Sequence, residues 1–344
     1  MGVIKVWCTY FSVLSCVTAL DHKKQTQPMA VTDQINIQDI TSDNIVEAIH
    51  AKVQQYKEEP MYYLRIGKAN CLIEVLVNDF PVYKSYELSN LASPLRINSK
   101  ILKSGTQTVT VRMYPVGDLI KEEYEHGETI TQLGDASAVS ITVTQIDKQS
   151  EMDFDDEHEV MKHRSPTTDA EGEVFTGSGL PFYEYSFEFT AKVPYDLSEN
   201  SWGNAADLRK VKPAYLEEEA LKYYQTFLNE FQKGNKDYIA QKLFHSYLIR
   251  SQTYYRSKTE IQELWNEDLN LLDNPSIETQ PITNYELIFY SRGGVVNYVI
   301  RILLIQGYEI KVRHGSYIKK IIEKKQCFMV STCIALNKNL ANET

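Results

Sequence analysis

The sequence predicts an α+β chain of more than one domain, an antiparallel β-sandwich followed by a smaller domain of helices and then a hairpin. Three observations lead there. First, Tyr183, Tyr185, Phe187, Phe189, Ala191 and Val193 alternate without a break with Glu184, Ser186, Glu188, Thr190 and Lys192. A period of two over that length is a strand with one buried and one wet face. Second, three earlier stretches repeat the pattern with no helical run between them, which favours an antiparallel sandwich over βαβ units. Third, the period becomes helical beyond Pro194. At 344 residues the chain is long enough for two domains, because single cores rarely grow past about 250–300 residues.

The start of the chain is read as an export signal, residues 1–20. Met1 to Lys5 carries one positive charge, Val6 to Leu20 is apolar or weakly polar, and Asp21-His22-Lys23-Lys24 ends the run. An apolar run of about fifteen residues suits a signal peptide and is short for a membrane span, which needs about twenty. Val17-Thr18-Ala19 offers small residues for a signal-peptidase cut before Leu20. Val13-Leu14-Ser15-Cys16 resembles a degenerate bacterial lipobox, with Leu14 where a small residue is usual, and makes Cys16 the candidate lipid-attachment residue. The duller alternative is an apolar element of the fold itself. Cys71, Cys327 and Cys333 would remain after cleavage. No CxxC pattern is present, so a zinc ribbon or thioredoxin-type site is unsupported.

Residues 21–60 read as a polar tether and a short helix. Ser42 or Asp43 would cap a helix in which Ile45, Ile49, Val53 and Tyr56 share a face, ending by Pro60. The sandwich follows over 61–196. Tyr62 to Ile66 is a candidate strand. Cys71 to Val77 is apolar on both faces, as in a strand covered on both sides, and Asn78-Asp79 breaks it before Val82-Tyr83. Leu95 to Ile101, Thr108 to Met113, Val139 to Thr144 and Phe182 to Val193 complete the strands. The acidic loop 149–179 interrupts them, and its composition favours disorder.

Ser198 to Lys212 reads as a linker, and 213–305 as the α+β domain. Pro213 suits a first helical turn, and Leu216, Ala220, Tyr223, Phe227 and Phe231 recur at helical spacing until Gly234. Ile239, Leu243 and Tyr247 mark a second helix. Ser257 and Glu260 form a capping-box pattern ahead of Ile261, Leu264 and Trp265. Arg292-Gly293-Gly294 between two apolar runs signals a hairpin. The helix-then-strand order of Tyr215 to Ile305 resembles the cone-shaped fold of the nuclear-transport-factor and ketosteroid-isomerase superfamily. That resemblance implies a cone holding a small-molecule pocket or serving as an interaction module, and it transfers no catalytic residue. The basic segment 306–344 closes the chain. Arg301 to Thr344 holds eight Lys or Arg against three Asp or Glu, and is expected either to dock on an acidic surface or to lie outside the fold.

For function, the net charge of −10 argues against nucleic acid, which needs a basic footprint. No glycine-rich nucleotide loop and no nucleophile elbow occur: Gly177-Ser178-Gly179 lacks the elbow spacing, and His314-Gly315-Ser316 shows only adjacency. No catalytic, cofactor or metal residue is assigned. The nearest metal candidate is Asp153, Asp155, Asp156, Glu157 and Glu159 with His158 and His163, but a solvated loop explains it better. Tyr62, Tyr63, Tyr83, Tyr86 and Tyr195 would be the stacking residues of a carbohydrate-binding module, with sheet packing the simpler role for most of the 23 tyrosines. The resulting expectation is an exported bacterial cell-envelope protein: periplasmic, secreted, or an outer-membrane lipoprotein. It is non-catalytic and binds a protein or envelope partner. The alternative is a ligand carrier or enzyme whose pocket in the α+β domain uses His245 or Asp268.

Overall fold

The computed structural model describes residues 36–85, 87–151, 156–168, 174–199, 201–275, 285–290, 293, 295–303 and 309–311. The expected signal with Cys16, the first part of the tether, Cys327, Cys333 and residues 312–344 lie outside them. Its strands are β1 (Pro60–Ala69), β2 (Leu72–Val77), β3 (Phe80–Lys84), β4 (Leu95–Arg96), β5 (Lys103–Tyr114), β6 (Ala138–Asp147), β7 (His158–Arg164), β8 (Tyr183–Asp196), β9 (Tyr285–Tyr290), β10 (Val295–Leu303) and β11 (Glu309–Lys311). The helices are α1 (Ile45–His50), α2 (Leu119–Tyr124), α3 (Pro213–Gln232), α4 (Lys236–Thr253) and α5 (Lys258–Leu272). The chain divides into two compact units. One is 54–198 with 253–255, and the other the described parts of 1–53, 199–252 and 256–344.

The first unit holds two four-stranded antiparallel sheets, ordered β4-β1-β6-β7 and β3-β2-β5-β8. Leu64 and Ile66, Val75 and Val77, Val109 and Val111, Ile141 and Val143, and Phe187, Phe189 and Ala191 belong to one hydrophobic cluster drawn from both sheets. A fully buried Val, Leu, Ile or Phe side chain contributes about 1.5–3 kcal/mol, so period-two alternation sets which way every strand faces. Tyr255, from the short segment 253–255, packs in the same cluster. Its ring lies 5.8 Å from that of Tyr195.

Strand β2 is covered on both faces, as its composition predicts. Glu74 and Leu76, on the side away from the cluster, are each 1 % exposed. A buried carboxylate needs a partner, and the register supplies one: Glu74 lies opposite Arg112, which lies opposite Glu184. Arg112 reaches Glu74 at 3.2 Å and Glu184 at 2.6 Å. Burial disfavours the Arg112 charge, but the two carboxylates outweigh it and its pKa is raised. Between β2 and β3, Asn78 and Asp79 take positive φ values of 50° and 67°, the left-handed conformation that a two-residue hairpin of matching twist requires.

Two expectations for this unit need correction. The strand expected over Leu95 to Ile101 shrinks to β4, followed by a 3₁₀ turn at Asn98–Lys100. Asn98 turns inward there, accepting from the Tyr62 amide at 2.6 Å and donating to the Pro60 carbonyl at 2.8 Å. Its side chain thus replaces the strand at that edge. The stretch 149–179 is not a plain solvated loop, since it carries β7, paired with β6 along Ile141↔His163 and Val143↔Met161. Met161 packs on the shared core, and His163 stacks on Phe187 with ring centres 4.1 Å apart. Those two inward side chains are what composition alone conceals.

In the second unit, Ile45 and Ile49 of α1 cluster with Ile239, Leu243 and Tyr247 of α4 and with Ile261 and Trp265 of α5. The expected tether therefore ends in a packed helix, tied further by Trp265 Nε1 donating to the Ser42 carbonyl at 2.9 Å. Asn44, not Ser42 or Asp43, is the N-cap residue; its Oδ1 accepts from the Thr41 amide and its own amide donates to the Thr41 hydroxyl. The helix ends at His50, well before Pro60. The expected linker 198–212 is also packed: Leu208 and Val211 join Leu216, Ala220 and Tyr224 of α3, with Leu287 and Phe289 against them. Gly234, at φ +67°, ends α3. Both bonds of the Ser257–Glu260 capping box form. Strands β11, β10 and β9 make a three-stranded antiparallel sheet. Gly293 is required there, since a Cβ would meet Asp207 Oδ1 at 2.1 Å.

Arg112→Met should destabilise the protein by about 3 kcal/mol by removing the guanidinium that pairs with the buried Glu74. Adding Glu74→Met should return most of that loss, as read by urea denaturation. Asp268, 6 % exposed, accepts from the Tyr247 hydroxyl, and burial pushes its pKa up to about 6. A raised carboxylate stabilises fully below its unfolded value and loses that contribution as pH rises through about 6. Asp268→Asn, which keeps the acceptor, should therefore melt above wild type at pH 8 and beside it at pH 4.

Candidate functional site

The sheet β4-β1-β6-β7 turns one face to the shared core, and its other face grades from dry to wet. Met61 lies opposite Ile146 on that outer face, both at 0 % exposure. Next, Tyr63 lies opposite Thr144 on one side and Arg96 on the other. Then comes the row Arg65, Thr142, Lys162, followed by Gly67, Ser140, Arg164. Neighbouring strands stand about 4.8 Å apart, so each row places its side chains within reach of one another.

Acidic residues fold back over the middle of this face. Glu151 lies 2.9 Å from Arg96 and accepts from the Tyr63 hydroxyl. Glu157 takes Arg65 Nη2 at 2.6 Å and the Thr144 hydroxyl at 2.5 Å. Burial works against the Glu157 charge, but Arg65 and Thr144 outweigh it and hold the carboxyl below the usual range. Beside this lies an open groove of about 310 Å³ lined by Arg65, Gly67, Ser93, Ser140, Thr142 and Lys162, with Leu91, Ala92, Pro94 and Ile66 completing it. Two cations and three hydroxyls line it, and no carboxylate does. Gly67 keeps the floor low, since a Cβ there would approach the Ser140 hydroxyl to 2.8 Å.

The residues singled out from the sequence are scattered. Of the metal candidate, Asp153 and Asp155 lie outside the described residues, Glu157 is committed to Arg65, and His163 turns inward. Among the described residues no three of His, Cys, Asp and Glu stand together as a metal site. Tyr62, Tyr63 and Tyr195 are buried and Tyr83 is half-buried, so they offer no stacking platform; Tyr86 lies outside the described residues. Gly177-Ser178-Gly179 is a turn in which the Ser178 hydroxyl donates to Asp135 at 2.5 Å. His314 to Ser316 lies outside the described residues.

His245 is half-buried and burial lowers its pKa, whereas Asp268 bonds to Tyr247. Neither lines the hollow of about 100 Å³ bordered by Phe231, Leu271, Leu272 and Asp273 in the same unit. Sequence reasoning missed the groove. Its only trace was Arg65 alternating with Leu64 and Ile66, which gives a facing but no neighbours. No described helix is long and apolar enough to cross a membrane.

Compared with protein-family models, curated proteins and solved structures, this chain matches nothing. The likeness of Tyr215 to Ile305 to a cone fold therefore rests on the order of α3, α4, α5, β9 and β10 alone.

His163 Nε2 is buried without a hydrogen-bond partner, and burial lowers the imidazole pKa. A depressed histidine stabilises fully above its unfolded value, near 6.5, and loses that contribution as pH falls through the folded one. His163→Phe, which keeps the stack on Phe187, should lose less melting temperature than wild type between pH 7.5 and pH 5.

Proposed function

We propose that this chain is an exported, non-catalytic binding or interaction protein of the bacterial cell envelope. In this reading its two four-stranded sheets form a β-sandwich, and the helical unit is a second domain. The observation that carries the reading is the open groove over the outer face of β1 and β6. It presents charge and hydroxyls to solvent, with no histidine or carboxylate among its lining residues to serve a hydroxyl as general base. Export is supported by the apolar run Val6 to Leu20 between Lys5 and Asp21, with cleavage before Leu20 or acylation at Cys16.

One observation favours the rival reading, a ligand carrier or enzyme in the helical unit. Asp268 is buried with a raised pKa, and such groups gather at functional sites. Its carboxylate is occupied by Tyr247, however, and the nearby hollow does not include it.

The test of export is the intact mass of the native protein from soluble and membrane fractions. A species beginning at acylated Cys16, or at Leu20, is expected. A chain beginning at Met1 in both fractions would overturn the proposal.

A further inference from the structure

We propose that the groove over β1 and β6 binds an oxyanion group on a small polar ligand: a phosphate or sulfate ester, or a carboxylate. This deepens the binding reading above and rests on it. Three features of the groove point to that chemistry. The chain carries a net charge of −10, yet the groove gathers Arg65 and Lys162 with no lining carboxylate. Arg164 follows two residues along the same strand, opposite Ser140. The two cations flank Thr142 in one cross-strand row, so both issue from the same face of the sheet as its hydroxyl.

The hydroxyls of Ser93, Ser140 and Thr142 are the donors that complete recognition of oxygen anions, and charge-assisted bonds of this kind are about twice as strong as neutral ones. No aromatic ring lines the groove, so stacking on a neutral sugar has no platform here. Lys162 is exposed, and its strand lies at the edge of the sheet.

The Arg65 guanidinium is shared between the groove and Glu157. An incoming anion therefore competes with an internal carboxylate, which sets modest affinity and favours ligands of higher charge. Removing the competitor should tighten binding.

The test is an amide-resolved NMR titration of the full chain at low ionic strength with inorganic phosphate, inorganic sulfate, acetate and, as a neutral control, glucose. Saturable shifts should centre on Arg65 to Gly67, Ser140 to Thr142 and Lys162 to Arg164 with at least one anion and not with glucose. The anion that binds best names the source. Lys162→Glu, an exposed edge-strand change that leaves the core intact, should weaken binding about tenfold, equivalent to 1.4 kcal/mol. Glu157→Gln should strengthen it.

Shifts spread over unrelated cations such as Lys192, or none with any anion, would overturn the proposal. Export is decided separately by the mature N-terminus. A cleaved chain whose groove ignores anions would sink the ligand class alone, and an uncleaved chain that binds them would sink the envelope reading alone.

Discussion

One shared hydrophobic cluster between two antiparallel sheets is the constraint on which the first unit depends. Once Ile66, Val75, Val111, Ile141 and Phe189 are committed to it, the pleat leaves the alternate residues no choice of face. Register then lines them into rows. On one sheet the row Glu74, Arg112, Glu184 neutralises a carboxylate that burial would otherwise make untenable. On the other, Arg65, Thr142 and Lys162 form the wall of a groove. Both rows are consequences of the same packing, one turned to stability and the other to solvent.

Much of this architecture was legible in the chain. The alternation of Phe187, Phe189 and Ala191 against Glu188 and Thr190 marks β8 without ambiguity, and the capping box at Ser257 marks the start of α5. Legibility failed where a side chain replaced backbone pairing or where polar composition hid an inward face. Asn98 ends β4 by taking the bonds of Tyr62 and Pro60 itself, and nothing local distinguishes that asparagine from a turn residue. In β7, only Met161 and His163 face inward among charged neighbours, so a paired edge strand reads as solvated loop. Leu208 and Val211 are too widely flanked by polar residues to announce a packed segment.

The candidate site was less legible than the fold. Arg65, Ser140 and Lys162 come from strands separated by loops of unrelated length, and sequence fixes the facing of each but not the register that brings them side by side. The acidic stretch reads as a solvated loop, with a cation site as the lesser reading, because a sequence shows carboxylates without their partners. Arg96, Tyr63, Arg65 and Thr144 satisfy Glu151 and Glu157, which makes these two carboxylates a fastening across the sheet. The fastening and the groove share Arg65, so the local electrostatics of recognition and of folding are coupled at one guanidinium.

Hydrogen–deuterium exchange followed residue by residue through Asp156 to Ser165 tests that arrangement most directly. Backbone groups held in a ladder open only by local unfolding. Protection well above that of an unstructured peptide across His158 to Arg164, lost faster in a Glu157→Gln protein, is expected if the acidic stretch is paired and fastened. Exchange at the unstructured rate throughout would contradict β7, the fastening and the groove wall together.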